Sequence, residues 1–416
     1  MTIATDIHAD LITPLGAYLR LRTAGTASFL LESVEKGRLG RYSLVGSGSR
    51  LVSFAAAGTE LDPGRPVVGY LGYDHVAKLE PTVALPTDGP DLPESRFVVA
   101  DRLVRFDHVT SIAEVLAGDR DEIAALLEAP PPSSRDVPRG QAPGHGQTSR
   151  CPTRADYEAS VRRAQEHIQI GDAFQIVLSQ RAERPTSASA LALYRSLRRI
   201  NPSPYLFLLE LGDLALVGSS PETLVKLEGA RASVNPIAGT TDAGEGDAER
   251  LLTSEKDRAE HVMLVDLGRN DLSRVCLPGT VRVGRFLEPE RYSHVTHLVS
   301  EVQGELAPGR SGLDLLRACF PAGTVSGAPK VRAMQLISEL EGHRRGPYAG
   351  AVGYALPDGA LDTCIAIRTI VLSGGVAHLQ AGAGIVVESD PAAEHQECLH
   401  KLAALEVAIE AAERTP

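Results

Sequence analysis

In the central part of the chain, hydrophobic residues are spaced first as in a helix and then as in a strand, and this succession repeats. Apolar residues recur at helical spacing from Tyr157 to Ile168, behind an N-cap candidate at Thr153, and Gly171 ends the pattern. The next segment, AFQIVLSQ, alternates as a strand does. A second helical pattern near residues 187–200 precedes YLFLLEL and LALVG, whose short connection is typical of a hairpin. These patterns predict helices and strands in mixed order.

Three apolar runs near the C-terminus are joined by turns that are too short to contain a crossover helix. The runs cover residues 348–356, 361–372 and 376–382, and their connections read PDG and SGG. Because such turns join antiparallel neighbours, we expect an antiparallel meander. A long helical pattern over residues 391–414 follows. Helices mixed with antiparallel strands indicate an α+β fold and not a doubly wound α/β sheet.

One segment has the composition of a linker. It reads APPPSSRDVPRGQAPGHGQTSRCP from residue 129 to residue 152, with many prolines and glycines and almost no apolar residues. This segment predicts three parts: an N-terminal region over residues 1–128, a linker over 129–152, and a larger C-terminal region over 153–416.

Charge and composition narrow the classes of partner. The 416 residues carry a formal net charge of −11 and the sequence pI is about 5.6, which argues against nucleic acid or an anionic membrane as the main partner. No N-terminal signal and no apolar run of membrane-spanning length is present, so we expect a cytoplasmic protein. The five cysteines are scattered without CxxC spacing, and this indicates neither a disulfide framework nor a zinc site.

The segment FPAGTVSGAPK, residues 320–330, is too poor in apolar side chains to be core. Its prolines stiffen it, and it leads into a periodic helix with Pro329 near the first turn. Free backbone N–H groups beside a helix start suit an anion. A tight connection without a ligand explains the same residues, and the spacing of the glycines is not that of a nucleotide-binding P-loop.

Two helical segments each carry a pair of carboxylates three residues apart. Asp257 and Glu260 share one helix face, and Glu394 and Glu397 share another. Facing pairs would supply oxygen ligands for Mg²⁺, whereas each pair alone is typical of a solvated helix face. The segment QAGAGIV precedes the second pair, and Gly382 and Gly384 within it would let a ligand carboxylate approach backbone N–H groups.

Taken together, the motifs along the chain resemble those of the chorismate-utilising enzymes, and among them most of all the synthase subunits that form anthranilate. The resemblance covers nearly the whole chain apart from the linker and implies the fold of that family, in which antiparallel sheets with flanking helices form a two-layer sandwich. It rests on SFLLESVE at 28–35, NPSPYLFLLE at 201–210, GSSPE at 218–222, PIAGT at 236–240, AEHVMLVDLGRND at 259–271, RYSHVTHLVS at 291–300, PAGTVSGAPK at 321–330, RGPYAGAVGY at 345–354 and DTCIAIRT at 362–369.

The resemblance implies a Mg²⁺-dependent reaction of chorismate with ammonia that yields anthranilate and pyruvate. By the family pattern, Glu260 and Glu397 would be the metal ligands, with Asp257 and Glu394 as supporting carboxylates. Asp257 stands where the family commonly has glutamate, so this side chain is one methylene shorter than usual.

The resemblance also implies a role for each substrate-site residue. Glu222 would be the general acid for the departing hydroxyl, and His297 would serve the second step, in which a ring proton and pyruvate are lost. The substrate-contacting positions would be Gly239 and Thr240 at the ring carboxylate, Thr324 in the pocket, and Tyr348, Arg368 and Gly384 at the enolpyruvyl carboxylate.

Two positions separate this chain from other members of the family. Gln175, in the substrate site, stands where water-adding relatives have a lysine base. Ala238 stands where relatives that make 4-amino-4-deoxychorismate have a nucleophilic lysine. The products left are anthranilate and its unaromatised precursor, 2-amino-2-deoxyisochorismate, and His297 favours anthranilate.

The chain has no cysteine in a Gly-x-Cys-x-Gly turn, so we expect a separate glutamine amidotransferase subunit to supply the ammonia. The family also implies an inhibitory tryptophan site in which Glu32 would hold the amino group and an apolar slot the indole. Packing between regions is the alternative for the same residues. They are Leu31, Glu32, Ser33, Asn201, Pro204, Tyr205 and Phe207.

Overall fold

The structure is a computed structural model. It describes residues 6–22, 26–33, 40–61, 63–130, 147–242, 244, 246–291 and 295–414, and every structural statement below refers to these residues. Most of the predicted linker, residues 131–146, lies outside them.

Helices form at the predicted places in the C-terminal region, and further helices lie in the N-terminal region. Thr153 caps α5 by accepting a hydrogen bond from the backbone N–H of Asp156, as the sequence indicates. The helices are α1 Pro14–Leu21, α2 Phe54–Leu61, α3 Val76–Leu79, α4 Arg120–Glu128, α5 Arg154–Gln169, α6 Ala190–Ile200, α7 Asp247–Thr253, α8 Glu255–Ser273, α9 Gly312–Cys319, α10 Lys330–Glu341 and α11 Pro391–Arg414. None of them is both long and apolar enough to cross a membrane.

The strands run through both regions of the chain. They are β1 Asp6–His8, β2 Ala27–Glu32, β3 Tyr42–Gly48, β4 Arg50–Val52, β5 Val67–Leu71, β6 Ser95–Val99, β7 Arg102–Asp107, β8 Ile112–Ala117, β9 Ser149–Cys151, β10 Gln175–Pro185, β11 Tyr205–Leu211, β12 Leu214–Ser220, β13 Thr223–Glu228, β14 Arg231–Val234, β15 Ile237–Asp242, β16 Arg282–Arg291, β17 Val295–Glu305, β18 Gly327–Ala328, β19 Ala351–Ala355, β20 Leu361–Ile365, β21 Thr369–Ser373 and β22 Val376–Ile385.

These strands form two antiparallel sheets. The first, called sheet A here, has the order β1-β8-β7-β3-β2-β11-β12-β21-β22-β10-β18, with β9 beside β10. The second, sheet B, has the order β15-β17-β14-β13-β20-β19-β5-β6-β4, with β16 beside β17. Each sheet contains strands from before and after the linker. The predicted boundary therefore separates two lengths of chain that share common cores.

The two sheets pack face to face and helices cover their outer faces. Alternate residues of one strand face opposite layers: Phe207 of β11 lies in the core between the sheets, whereas Leu206 and Leu208 lie under the helices. On the other sheet, Val68 faces the inter-sheet core and Val67 the outer helices. Burial of both faces holds the sandwich together. The α+β class and the sandwich arrangement predicted from the sequence are confirmed.

The predicted meander is wrong in one respect. The run 361–372 is not one strand: β20 pairs in sheet B and β21 pairs in sheet A, and residues 366–368 carry the chain from one sheet to the other. Arg368 sits at this crossing with φ of 49°, in the left-handed region that a non-glycine residue seldom adopts. The crossing brings the Arg368 guanidinium beside Asn201, which follows helix α6.

Two buried ion pairs fix the segment 320–330. Lys330 donates to Asp271 of α8 at 2.7 Å and to the carbonyl of Cys319 at 3.2 Å. Arg345 donates to Glu341 and to the backbone carbonyls of Val325 and Val177. The segment is thus held between α8 and sheet A, and Lys330 serves this anchoring.

Candidate active site

The residues with predicted chemistry gather at one end of the space between the sheets. Strands β10 and β22 of sheet A form one wall, with Val177 opposite Gly384 and Ser179 opposite Gly382. The opposite wall comes from sheet B through β13 and β15, and helix α8 packs on β15 and β17. The site is therefore assembled from elements that are distant in the sequence.

Glu222 lies at the junction of β12 and β13 and faces the segment 320–330. Its Oε1 accepts a hydrogen bond from Thr324 Oγ1 at 2.8 Å. Burial disfavours the charged form and raises the pKa of this carboxyl to about 8, although the hydrogen bond from Thr324 acts in the opposite direction. Glu222 is therefore mostly protonated at neutral pH and can give up a proton.

Arg368 supplies a half-buried positive charge to the site. No carboxylate lies within salt-bridge distance of it in the described chain, and its side chain donates to Asn201 Oδ1 at 3.5 Å. Burial lowers the pKa of the guanidinium from its very high ordinary value, which leaves the group charged at neutral pH. A half-buried guanidinium beside a neutral amide is suited to bind a ligand carboxylate.

His297 lies on β17 beside Gly239 of β15. Its Nδ1 is 3.3 Å from the carbonyl oxygen of Gly239. Burial lowers the pKa of the imidazole, and the positive charge of Arg368 lowers it further, so neutral histidine is favoured. Gly239 has φ of 69° and its missing Cβ would lie 3.2 Å from Asp257 Cβ, so glycine suits both the conformation and the space. A neutral imidazole can accept a proton here.

Thr240 follows Gly239 on β15, where its backbone lies opposite His297. Its side chain is outside the described part of the structure.

Gln175 and Glu260 meet beside Gly384. Gln175 Nε2 donates to Glu260 Oε1 at 3.2 Å and lies 2.3 Å from the position that a Cβ on Gly384 would occupy. Gly384 therefore leaves room for this amide. The other amide atom, Gln175 Oε1, is buried without a hydrogen-bond partner among the described residues. A buried acceptor of this kind is costly unless a ligand or water donates to it.

Glu397 reaches the opposite end of the Gly382–Gly384 stretch through Lys401. The ammonium group of Lys401 donates to Glu397 Oε1 and to the carbonyl of Gly382, both at 2.7 Å. Lys401 is not among the site residues predicted from the sequence. Its position four residues after Glu397 on one helix is the only signal, and such pairs usually lie on solvated faces.

The carboxylates fit a magnesium site in the nature of their donors. No group of three or more histidine, cysteine, aspartate or glutamate side chains converges closely enough for a metal site within the described ranges. Glu260 and Glu397 nevertheless reach the two ends of one short glycine stretch, as the contacts of Gln175 and Lys401 show. Mg²⁺ commonly takes one or two protein carboxylates and fills its other positions with substrate oxygens and water.

The two supporting carboxylates occupy the first turns of their helices. Asp257 lies in the first turn of α8, and its backbone N–H donates to the cap Ser254. Glu394 lies in the first turn of α11, one turn before Glu397. The structure thus puts each supporting residue on the helix that carries the corresponding primary carboxylate.

Tyr348 closes the site beside Gly382. A Cβ on Gly382 would lie 2.8 Å from the Tyr348 hydroxyl, so only glycine leaves space for the phenol. Arg345 lies over the Tyr348 ring, 5.6 Å from its centre, and forms a buried ion pair with Glu341. Glu341 also accepts from the backbone N–H and hydroxyl of Ser179. Arg345 and Glu341, which the sequence reasoning missed, support this wall.

The predicted tryptophan-site residues are divided between the two faces of sheet A. Glu32 lies opposite Leu206 in the pairing of β2 with β11, so both face the outer helices. There Glu32 is buried and bonded by Tyr194 and Arg198 of α6. Leu31 and Phe207 lie opposite each other and face the inter-sheet core.

The remaining members of that group are spread in the same way. Ser33 follows β2, and its hydroxyl is buried without a partner among the described residues. Pro204 is buried just before β11. Tyr205 donates to Asp362 at 3.0 Å and shares a 2.8 Å hydrogen bond with Thr223, the neighbour of Glu222. Asn201 contacts Arg368. Tyr205 and Asn201 thus connect this group with the candidate active site.

Comparison with known proteins identifies the family of the chain. The family model for chorismate binding enzymes matches residues 20–406, and the chain belongs to this family. Anthranilate synthase component 1 from Thermus thermophilus is 44% identical, with 97% of each chain covered, and the protein of that name from Streptomyces coelicolor is 46% identical over 97% of this chain and 88% of its own. The crystal structure of anthranilate synthase component I from Streptococcus pneumoniae superposes with a TM-score of 0.78 at 32% identity, covering 98% and 99% of the two chains.

Proposed function

We propose that this chain is the synthase component of an anthranilate synthase, which converts chorismate and ammonia to anthranilate and pyruvate. The relatives named above support the reaction, and the half-buried carboxyl of Glu222 carries the chemistry. Departure of the ring hydroxyl requires a proton donor that stays protonated at neutral pH, and a carboxyl with a pKa of about 8 meets that need.

The first step joins ammonia to the ring and expels water. Arg368 and Tyr348 hold the enolpyruvyl carboxylate, and Glu222 protonates the leaving hydroxyl while ammonia attacks the carbon beside the ring carboxylate. Magnesium bound by Glu260 and Glu397 would hold the ring carboxylate and draw electron density from it. The product of this step is 2-amino-2-deoxyisochorismate.

The second step restores aromaticity. The neutral imidazole of His297 is suited to take the proton from the carbon that carries the new amino group. Cleavage of the enol ether bond then releases the side chain as enolpyruvate, which takes up a proton to become pyruvate. Anthranilate remains. A chain that could perform only the first step would need no base at this position.

Gln175 favours ammonia as the nucleophile. A lysine base at this position would activate water, whereas an amide cannot take a proton from water. The buried Gln175 Oε1 can instead accept a hydrogen bond from an N–H group of ammonia. Ala238, a small apolar residue at the other discriminating position, offers no nucleophile for a covalent route.

The ammonia source is proposed to be a separate glutamine amidotransferase subunit, with both proteins in the cytoplasm. All five cysteines are free, and four of them are buried, in agreement with structural roles. The purified chain should therefore use ammonium salt and not glutamine. Equal rates with the two nitrogen sources would contradict a separate glutaminase.

Product analysis tests the proposal. The chain is incubated with chorismate, Mg²⁺ and ammonium salt, and anthranilate is followed by fluorescence while pyruvate is measured enzymatically. Equal amounts of the two products are expected. Accumulation of the amino-isochorismate without pyruvate would favour a one-step enzyme, and the absence of both products would refute both. Glu222→Gln, which cannot donate the proton, is the negative control.

We also propose that tryptophan inhibits the reaction from a site that includes Glu32. The support is a buried carboxylate held by Tyr194 and Arg198, a group that can exchange one of these contacts for an amino group. Inhibition would then arise through two states of the sandwich that bind chorismate unequally.

A further inference from the structure

We propose that Asn201 is a positioning residue that aligns Arg368 for the carboxylate of the substrate, in place of the inhibitor contact that its sequence motif suggests. The inference rests on the proposed function, because Arg368 is taken as the group that binds the enolpyruvyl carboxylate. The contact that carries it joins Arg368 Nη1 to Asn201 Oδ1 at 3.5 Å.

The backbones of these two residues are held together by a third. Ser219 of β12 donates its backbone N–H to the carbonyl of Arg368 and its hydroxyl to the carbonyl of Asn201. The backbone N–H of Asn201, the residue that caps the C-terminal end of α6, donates to the carbonyl of Leu197. Asn201 is thus anchored through its backbone on both sides, and its side chain is free to serve Arg368.

The contact with Asn201 can orient the Arg368 guanidinium without neutralising its charge. Arg368 is half-buried, has a left-handed backbone and has no carboxylate within 4 Å in the described chain. An amide oxygen orients one Nη group while the full positive charge and the other N–H groups stay available to an anion. An aspartate at the same place would orient the guanidinium equally well and would also satisfy its charge.

This difference gives a sharp test. Asn201→Asp should weaken chorismate binding by between about 10-fold and about 100-fold, because the new carboxylate competes with that of the substrate for Arg368. Asn201→Ala should weaken it by about 10-fold, since the guanidinium loses its alignment. In both variants KM should rise while kcat changes little, as expected for a contact that is equal in the ground and transition states.

A matched control separates charge from position. Asn270→Asp adds the same charge at an exposed site on α8 and should leave KM unchanged. Urea unfolding of the three variants tests for a merely structural role. We expect Asn201→Asp to be at least as stable as the wild type, because it gains an ion pair, although it binds chorismate more weakly.

Measurements without tryptophan distinguish this role from inhibitor binding. If Asn201 serves only the inhibitor, both variants will show the wild-type KM in the absence of tryptophan, and the proposal is overturned. Calorimetric titration with chorismate gives affinity without turnover. A wild type that binds chorismate but forms no anthranilate would therefore refute the proposed function, while the affinity ratio would still decide the role of Asn201.

Discussion

The protonation of Glu222 predicts an upper pH limit on activity. Burial raises the pKa of its carboxyl to about 8, so about nine-tenths of the protein carries the proton at pH 7 and about one-tenth at pH 9. Only the protonated form can donate to the departing hydroxyl. We therefore expect kcat/KM to fall as the pH rises through about 8, with a tenfold loss per unit beyond it.

Substitutions of Thr324 and Glu222 should each change this upper pH limit, and the structure predicts the direction of each change. The hydroxyl of Thr324 donates to the Glu222 carboxylate and stabilises its charged form. Thr324→Val should therefore raise the pKa of Glu222 and shift the alkaline limb upward by about one to two pH units. Glu222→Gln should abolish the limb and lower kcat by roughly 10²-fold to 10⁴-fold.

The assay follows anthranilate fluorescence between pH 6 and 10 with the concentration of free ammonia held constant. Thr110→Val, at an exposed position, is the matched control and should keep the wild-type profile. If kcat/KM declines at the same alkaline pH in the wild type and in Thr324→Val, the reasoning is refuted, because the hydrogen bond would then have no effect on the titrating group.

The free energy of unfolding depends on the same pKa and can be measured without the enzymatic reaction. Between about pH 4.5 and 8 the folded chain keeps a proton on Glu222 that the unfolded chain has lost. The stabilisation associated with this proton is complete below that range and is lost as the pH rises through about 8. Relative to Glu222→Gln, the wild type should lose up to about 5 kcal/mol of unfolding free energy across the range, as measured by urea titration.

Three further outcomes are expected. Glu260→Gln and Glu397→Gln should each raise the Mg²⁺ concentration needed for half-maximal activity by about 10-fold or more, and an unchanged magnesium titration would exclude them as ligands. Glu341→Gln should lower the free energy of unfolding by about 3–5 kcal/mol in urea, because the buried charge of Arg345 loses its partner, and a loss below 1 kcal/mol would contradict this. Glu32→Ala should weaken inhibition by tryptophan without changing KM for chorismate, and full inhibition would place the site elsewhere.

The sequence predicted elements well wherever local signals agreed. Helix α5 has a cap, a periodic apolar face and a glycine stop, and it forms between those limits. The prediction of one continuous strand through CIAIRTIVL was wrong. This segment contains no glycine or proline, so its sequence gives no sign that the strand is interrupted. The chain leaves one sheet for the other there, in a conformation that Arg368 adopts at a cost in strain. Only contacts between distant strands determine that crossing.

In the candidate active site, too, some residues could be predicted from the sequence and others could not. Glu222, Arg368 and His297 could be named because the motifs that contain them, GSSPE, DTCIAIRT and RYSHVTHLVS, resemble those of the family. Arg345 and Glu341 could not, since Arg345 lies beyond the end of α10 and nothing local joins the two. Lys401 could not, since charged residues four apart on a helix usually face solvent. Their side chains here are buried or bound to the site. Likewise, Glu32 and Phe207 lie on opposite faces of sheet A, and this depends on the register between β2 and β11.

The interleaving of early and late strands in both sheets has a consequence for synthesis on the ribosome. Strand β5 pairs with β19, and at about 5–20 residues per second it waits about 15 to 60 s for a partner that follows roughly 290 residues later. During that time its apolar face and one row of backbone hydrogen-bonding groups are unpaired. Nascent chains are thus exposed to edge-to-edge association, and expression in cells should depend on chaperones and temperature more than the stability of the finished sandwich suggests.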